Sequence, residues 1–302
     1  MGKFYFGIDG GGTHSRLALC GADGSIIACT TAGSTNIYSV SQEQVFENLS
    51  VLLDSALGEA GLERPDLAGG CIGSAGLGRK GDRKIFRGFF DRLLGTDFPV
   101  KLCTDGEILL CGGLEGPEGY CLIAGTGSIA LGRAADGRLV RAGGLGYLLG
   151  DEGSAAWIGR TAIARSLRYI EGRDIDTLMP ESLLAACGKT GADELIIWVQ
   201  EANKADVAAL APIVTGAAQN GDRLALDILI HGAEELALLV LSVLEQSPWI
   251  QNKTIVLAGG VIEHDPVVTG RLKEILASEF PELSVQPPKK SALEGACLLA
   301  VP

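Results

Sequence analysis

The chain has 302 residues, which is more than one hydrophobic core usually supports, so we expect two domains. Apolar residues make up 47% and charged residues 21% of the sequence, which is typical of a globular protein and excludes a disordered chain. The 25 basic and 37 acidic residues give a formal net charge of −12, which argues against a nucleic acid or an anionic membrane as partner, because either needs a basic face.

The first half of the chain predicts alternating strands and helices. Phe4 to Ile8 predicts a strand, and after three glycines a second strand, Arg16 to Cys20, leads into the turn signal Asp23-Gly24. Ser41 and Gln44 form the pattern of a capping box at the start of a helix. The other predicted elements are strands at Ser25 to Cys29, Ala68 to Ile72 and Pro99 to Cys103, and a basic helix at Arg83 to Leu94.

The second half repeats the opening of the first half. A strand at Tyr120 to Ala124 is followed by a turn of small residues, and two further strands flank an Asp-Gly turn. The later elements are helices at Gly150 to Arg168, Arg223 to Glu245 and Ser291 to Ala300, and a continuous apolar strand at Thr254 to Ala258. The long helix at Arg223 to Glu245 is apolar nearly all round, which predicts burial. The repetition indicates an α/β protein of two related halves with a ligand between them.

Asp9-Gly10-Gly11-Gly12-Thr13 is the first candidate site for chemistry. Three glycines at a strand end let backbone N–H groups face an anion, and Thr13 adds a hydroxyl donor. Asp9 is suited to hold a hydrated Mg²⁺ beside a phosphate. A tight hairpin that needs glycine is the alternative, although three glycines exceed that need. The stretch matches neither a Walker A loop nor a Rossmann fingerprint, in which Ser15 would have to be glycine.

Two further small-residue turns follow buried strands. Gly125-Thr126-Gly127-Ser128 occupies the place in the second half that Gly10 to Thr13 occupies in the first, which indicates a second phosphate-binding hairpin. Gly259-Gly260 follows the strand at Thr254 to Ala258, and a close strand-to-helix turn explains it equally well.

Asp105 follows a predicted strand, and in open α/β sheets ligands collect at the carboxyl ends of strands. A carboxylate there can accept the proton of an attacking hydroxyl, as in phosphoryl transfer. Its position alone is equally compatible with a cap for the helix that starts near Glu107. Asp151 and Glu152 end a glycine-rich stretch, where they either meet ligand hydroxyls or only complement a helix dipole.

The eight cysteines include no CxxC pair, and most lie in apolar stretches. We therefore expect the cysteines to be small buried hydrophobic residues in a reducing cytosol, and neither a disulfide framework nor a zinc site.

No apolar run reaches the roughly 18 residues of a membrane helix, and Asp9 interrupts the apolar N-terminal stretch that a signal peptide needs. We expect a cytoplasmic protein without a membrane partner.

Together these residues resemble the sugar kinase, Hsp70 and actin superfamily. Asp9 to Thr13 is similar to its first phosphate loop, Ile123 to Ser128 to its second, and Val256 to Gly260 to its adenosine motif. Within the superfamily, essentially the whole chain resembles the BadF/BadG/BcrA/BcrD family and its N-acetylglucosamine and glucosamine kinases. The most specific match is Gly143 to Trp157, which contains Gly-Asp-Glu-Gly-Ser, and Ala292 to Ala296 also fits.

The resemblance implies two ribonuclease-H-like, actin-like ATPase domains with a cleft between them, residues 1–112 with 289–302 and residues 113–288. These domains would close on ATP, Mg²⁺ and an amino sugar, with Asp105 as the base for the sugar 6-hydroxyl and Asp9 near the metal. The implied sugar-side residues are Asn36, Ser74, Asp105, Gly144 and Asp151. The nucleotide-side residues are Gly10, Gly11, Gly12, Thr13, Thr126, Gly127, Ser128, Gly259 and Gly260. The family and the apolar helices of the second half are compatible with a homodimer.

Two other functions remain open on the same fold. One is an ATPase activator of a radical dehydratase, which would bridge an iron–sulfur cluster across a dimer through exposed cysteines, and no paired cysteine loop is present. The other is a regulator that senses a nucleotide or a sugar without catalysis. The absence of a helix-turn-helix pattern before Phe4 weakens its transcriptional form.

Overall fold

The computed structural model describes residues 3–114 and 118–302, which form two α/β units. The first unit comprises Met1–Glu118 with Pro287–Pro302, and the second comprises Gly119–Gln286. Each unit contains one five-stranded mixed sheet. The predicted α/β class and the two related halves are confirmed.

The elements alternate as the sequence pattern predicts. The first unit begins with β1 (Phe4–Gly10), β2 (His14–Gly21), β3 (Ile26–Gly33), α1 (Gln42–Ala60), β4 (Leu67–Ser74), α2 (Lys80–Leu94), β5 (Val100–Cys103) and α3 (Asp105–Gly113). The second contains β6 (Gly119–Ala124), β7 (Ser128–Arg133), β8 (Leu139–Gly143), α4 (Ala155–Ile170), α5 (Met179–Ala186), α6 (Ala192–Glu201), α7 (Lys204–Ala208), α8 (Ala211–Gln219), α9 (Arg223–Gln246), β9 (Thr254–Ala258), α10 (Gly260–His264), α11 (Pro266–Glu279) and β10 (Ser284–Gln286). Helix α12 (Ala292–Ala300) ends the chain.

The two sheets have equivalent strand orders. They are β3-β2-β1-β4-β5 in the first unit and β8-β7-β6-β9-β10 in the second. In both, an antiparallel meander is continued by two parallel strands. The recurrence of the strand–turn–strand opening in the sequence therefore reflects a recurrence of sheet topology.

The sheet of the first unit is covered on two sides by separate apolar clusters. Side chains of α1 and α2, including Leu49, Leu53 and Phe90, form one cluster with the sheet, and side chains of α3 and α12 form the other. The backbone N–H groups of Lys289 and Lys290 donate hydrogen bonds to the carbonyl groups at the end of α3, and these bonds attach the C-terminal segment to this unit.

The second unit is built around one large apolar cluster in which α9 is central. Eleven residues of α9 are buried, as predicted, but the burial does not extend around the whole helix. Leu226 and Leu238 are 41% and 58% exposed, because α9 packs on the strands and on α8 and α11 with only part of its circumference. In the described part of the chain, no helix combines the length and apolarity needed to cross a bilayer.

All eight cysteines are thiols, and Cys20, Cys71, Cys121 and Cys297 are buried as small apolar residues would be. Cys29 is exposed, contrary to the general expectation. The Sγ atoms of Cys71 and Cys103 lie 3.9 Å apart, and this hydrogen bond together with burial raises the pKa of the Cys71 thiol. That thiol is therefore protonated and unreactive at neutral pH.

Candidate active site

Three strands of the first unit end at the same edge of its sheet. β1, β4 and β5 run parallel, with Gly10 opposite Ser74 and Gly73 opposite Cys103. This register places the glycine turn after β1, Ser74 and the start of α3 at the carboxyl edge, where ligands bind in open α/β sheets. The predicted site residues of the first unit therefore lie at the same edge of its sheet.

The turn between β1 and β2 depends on glycine for close packing. The Gly11 N–H donates to the His14 carbonyl at 3.1 Å, and a Cβ on Gly11 would lie 2.4 Å from that oxygen. A Cβ on Gly10 would lie 2.5 Å from Thr35 Oγ1. Thr13 is exposed beside this turn, so a backbone and hydroxyl surface without bulky side chains faces outward there.

Asp9 lies one residue before this turn and forms an ion pair with its cross-strand neighbour Arg16. Arg16 Nη2 donates to Asp9 Oδ2 at 2.7 Å, and the aspartate side chain is 20% exposed. A carboxylate keeps further lone-pair sites after one such bond. In residues 3–114 and 118–302, no three His, Cys, Asp or Glu side chains cluster as a metal site. The lone-pair sites that remain on Asp9 are compatible with a hydrated Mg²⁺ held by one carboxylate and phosphate oxygens, as is usual for this ion.

Asn36 and Ser74 both lie beside the same turn. Asn36 Oδ1 accepts a hydrogen bond from the Tyr38 N–H at 2.9 Å, which orients the amide so that its NH₂ group is the available donor. A Cβ on Gly12 would lie 4.0 Å from Asn36 Nδ2, and one on Gly76 would lie 3.1 Å from Asn36 Oδ1. Ser74 is buried, and its hydroxyl oxygen accepts from the Gly76 N–H at 3.2 Å.

Tyr38 and Asp82 support this loop, and neither is evident from the sequence. The Tyr38 hydroxyl donates to Asp82 Oδ1 at 2.7 Å, and the buried Asp82 also accepts from the Arg79 N–H. Desolvation and the hydrogen bond to Asp82 raise the pKa of Tyr38. Tyr38 therefore stays protonated and holds the loop that carries Asn36.

Asp105 is the first residue of α3, but it is not the helix cap. Thr104 is the cap: its hydroxyl oxygen accepts from the Glu107 N–H at 3.3 Å, and Glu107 Oε2 accepts from the Thr104 N–H at 2.8 Å. The cap alternative for Asp105 is therefore wrong. Asp105 Oδ1 accepts from the Gly106 N–H at 2.9 Å, which fixes the carboxylate at the strand edge.

The second unit gathers its own set of predicted residues around the turn Gly125–Ser128. The Gly125 N–H donates to the Gly127 carbonyl at 2.9 Å, which closes the turn. Ser128 Oγ donates to the Glu152 carbonyl at 2.7 Å, and the Gly144 N–H donates to the Ser128 carbonyl at 2.9 Å. The glycine-rich stretch of the sequence is therefore wrapped around this turn.

Gly259 and Gly260 lie against the same turn. Gly259 has φ 103°, and a Cβ there would lie 2.5 Å from the Ala124 carbonyl oxygen. A Cβ on Gly125 would lie 3.8 Å from the Gly260 nitrogen. The predicted close strand-to-helix turn is therefore present, and it also brings the glycine pair next to the turn Gly125–Ser128.

Asp151 is a buried carboxylate behind this turn. Within the described residues it is the only non-glycine residue with positive φ, at 59°, and it is 3% exposed. Its Oδ1 accepts from the Ser128 N–H at 3.3 Å, and its Oδ2 lies 2.7 Å from Lys204 Nζ. Helix α4 begins only at Ala155, after Ser154 as cap, so the predicted start at Gly150 is wrong. The five residues before Ala155 form the loop that holds Asp151.

Comparison with known proteins gives a consistent result over the whole chain. The model of the BadF/BadG/BcrA/BcrD ATPase family matches residues 6–300. An N-acetylmuramic acid/N-acetylglucosamine kinase of Clostridium acetobutylicum is 33% identical over 302 residues, which cover 99% of this chain and 98% of that protein. An N-acetyl-D-glucosamine kinase of Dictyostelium discoideum is 26% identical over 312 residues, with 99% and 98% covered. The solved structure of a candidate N-acetylglucosamine kinase from Chromobacterium violaceum is 27% identical, with a TM-score of 0.79 and 98% of both chains covered.

Proposed function

Since the chain belongs to the BadF/BadG/BcrA/BcrD ATPase family, we propose that it is an ATP-dependent kinase that phosphorylates the 6-hydroxyl of N-acetylglucosamine or a related hexosamine. The enzyme is a phosphotransferase with a sugar hydroxyl as acceptor. N-acetylglucosamine is the first candidate substrate, and glucosamine and N-acetylmuramic acid follow it. The names of the two curated relatives, each matched over nearly its full length, support an amino sugar.

The observation that carries the proposal is the position of Asp105. The carboxylate lies at the carboxyl edge of the first sheet, and the residue that caps the helix is Thr104 rather than Asp105. In the proposed reaction it accepts the proton of the attacking hydroxyl, whose oxygen forms the new bond to the γ-phosphorus while the bond to the leaving ADP oxygen breaks.

The remaining site residues bind and orient the substrates. We assign the turns Gly10–Thr13 and Thr126–Ser128 and the pair Gly259–Gly260 to the nucleotide, because their backbone N–H groups can approach phosphates without a Cβ in the way. Asn36, Ser74, Gly144 and Asp151 are assigned to the sugar. Positioning supplies most of the rate in such a transfer, since the protein forms no covalent intermediate.

Asp9 is the residue that would hold Mg²⁺, which when bound offsets the negative charge of the ATP phosphates. Arg16 pairs with Asp9 across the strands and thereby restrains its carboxylate. A homodimer stays a prediction.

ADP release from MgATP, measured with N-acetylglucosamine, glucosamine, N-acetylmuramic acid, glucose and no sugar, tests the proposal. We expect strong stimulation by one amino sugar, and the 6-deoxy form of that sugar should bind without stimulating release. If the rate of ADP release is the same with every sugar and without sugar, and the protein contains iron, the result would favour the dehydratase activator. Binding of nucleotide or sugar without ADP release would favour a sensor.

A further inference from the structure

Lys204 places a positive charge directly over the turn Gly125–Ser128, although nothing in the sequence pattern singles it out. Its Nζ lies 2.7 Å from Asp151 Oδ2, and a Cβ on Gly127 would lie 2.6 Å from Nζ and 3.0 Å from Oδ2. The ion pair therefore occupies the space on the Cβ side of Gly127, and any larger residue at position 127 would displace it.

The position of Lys204 is determined by packing between two helices. α7 contacts α4, and a Cβ on Gly159 of α4 would lie only 2.1 Å from the Val207 carbonyl oxygen. Asn203 caps α7, since its Oδ1 accepts from the N–H groups of Ala205 and Asp206. Both contacts hold the backbone at Lys204, so the lysine reaches Asp151 from a rigid base.

Asp151 keeps one oxygen without a hydrogen bond in this arrangement. Oδ1 accepts from the Ser128 N–H, whereas Oδ2 contacts the ammonium as an ion pair but, in the described part of the chain, accepts no hydrogen bond. The side chain is only 4% exposed. A charge buried to this extent needs a compensating charge nearby, and a buried acceptor without a donor is a position where a ligand donor is favoured.

We propose that Lys204 is a positioning residue of the sugar side that acts through Asp151. The ammonium compensates the buried carboxylate and holds it so that Oδ2 can accept a hydrogen bond from a hydroxyl of the amino sugar. This inference rests on the proposed function, in which Asp151 is a sugar ligand. It predicts that Lys204 sets the KM for the sugar and leaves the KM for ATP nearly unchanged.

A double-mutant cycle with Lys204→Met and Asp151→Asn tests this coupling. We expect Lys204→Met to raise the KM for the sugar about tenfold or more, with kcat and the KM for ATP within about threefold of wild type. Lys204→Arg should recover most of the loss, because a guanidinium can pair with the same carboxylate. In the Asp151→Asn background, Lys204→Met should add less than about twofold. Lys273→Met, on the exposed side of α11, is the matched control and should behave as wild type.

Other outcomes overturn the inference. An unchanged KM for the sugar in Lys204→Met, or effects that add fully in the double variant, would show that Lys204 does not act through Asp151. A rise confined to the KM for ATP would make Lys204 a phosphate ligand. If Lys204→Met does not fold, Lys204→Gln, which keeps a polar side chain but removes the charge, replaces it in both the single and the double variant. A wild-type enzyme that phosphorylates no sugar would instead overturn the proposed function, and this inference with it.

Discussion

Near the strand ends, neighbouring residues have different roles: some stabilise the local structure, and others are candidates for binding or catalysis. Thr104 and Glu107 satisfy the start of α3, and the adjacent Asp105 is therefore not required for the helix. In the same way, Tyr38 orients Asn36 because its backbone N–H donates to the Asn36 amide oxygen, which leaves the amide NH₂ group as the available donor. In both places a neighbouring residue has the structural role and leaves the candidate site residue available for a ligand.

At the scale of single residues, Asp105→Asn tests the proposed base most directly. The amide cannot accept the hydroxyl proton, so we expect kcat to fall by roughly 10²–10⁴-fold while the Kd for ATP stays within about threefold. Steady-state kinetics and calorimetric titration of ATP measure the two quantities.

Asp97→Asn is the matched control, because Asp97 is an exposed carboxylate before β5 in the same unit. It should keep wild-type kcat. Near-normal turnover in Asp105→Asn would remove Asp105 from the mechanism.

At the scale of elements, glycine determines how closely helices approach each other. In α12, a Cβ on Gly295 would lie 2.0 Å from the Ile108 carbonyl oxygen of α3, so the two backbones touch there. This contact attaches the C-terminal helix to the first unit on the sheet face that also carries α3. Since α3 begins with Asp105, the same contact supports the edge of the sheet that carries the candidate base.

Gly295→Ala should therefore destabilise the first unit. The methyl group has no space without a shift of α12, and we expect a loss of about 1–3 kcal/mol in the free energy of unfolding, measured with urea.

Gly88→Ala provides the comparison, because a Cβ on Gly88 of α2 would meet nothing within 4 Å. That variant should be neutral or stabilised by up to about 1 kcal/mol, since alanine favours a helix. Equal stability of the two variants would show that α12 can move away from α3 without cost.

At the scale of the whole molecule, net charge and substrate charge have the same sign. The protein carries a formal charge of −12, and ATP is a polyanion even when Mg²⁺ is bound. The long-range field of the protein therefore opposes the approach of the nucleotide, so we expect binding to depend on short-range donors, which we assign to the glycine turns.

Salt should accelerate nucleotide binding. We expect the association rate constant of MgATP to rise about two- to fivefold between 20 and 200 mM NaCl, because screening weakens the repulsion. Stopped-flow fluorescence with a labelled ATP measures it, and a labelled neutral adenosine should show no such dependence. A rate that falls with salt would mean that a local positive field outweighs the net charge.

The sequence alone determined the class of fold, the positions of the glycine turns and the family. These features are local: alternation of apolar residues, glycine in turns and polar residues at strand ends can be read within short windows. The strands β1, β6 and β9 and the helix α9 were predicted to within about two residues, and the family is confirmed by the model match to residues 6–300.

Only the tertiary structure decided which side chains meet. Thr104 as cap, Tyr38 behind Asn36 and Lys204 against Asp151 depend on backbone directions and on packing between elements that are distant in sequence. Lys204 is an ordinary surface residue in the sequence, and it reaches a buried carboxylate because Gly159 lets α7 approach α4. Contacts of this kind have no local signature, since they result from the summed packing of a whole unit rather than from the preferences of one segment.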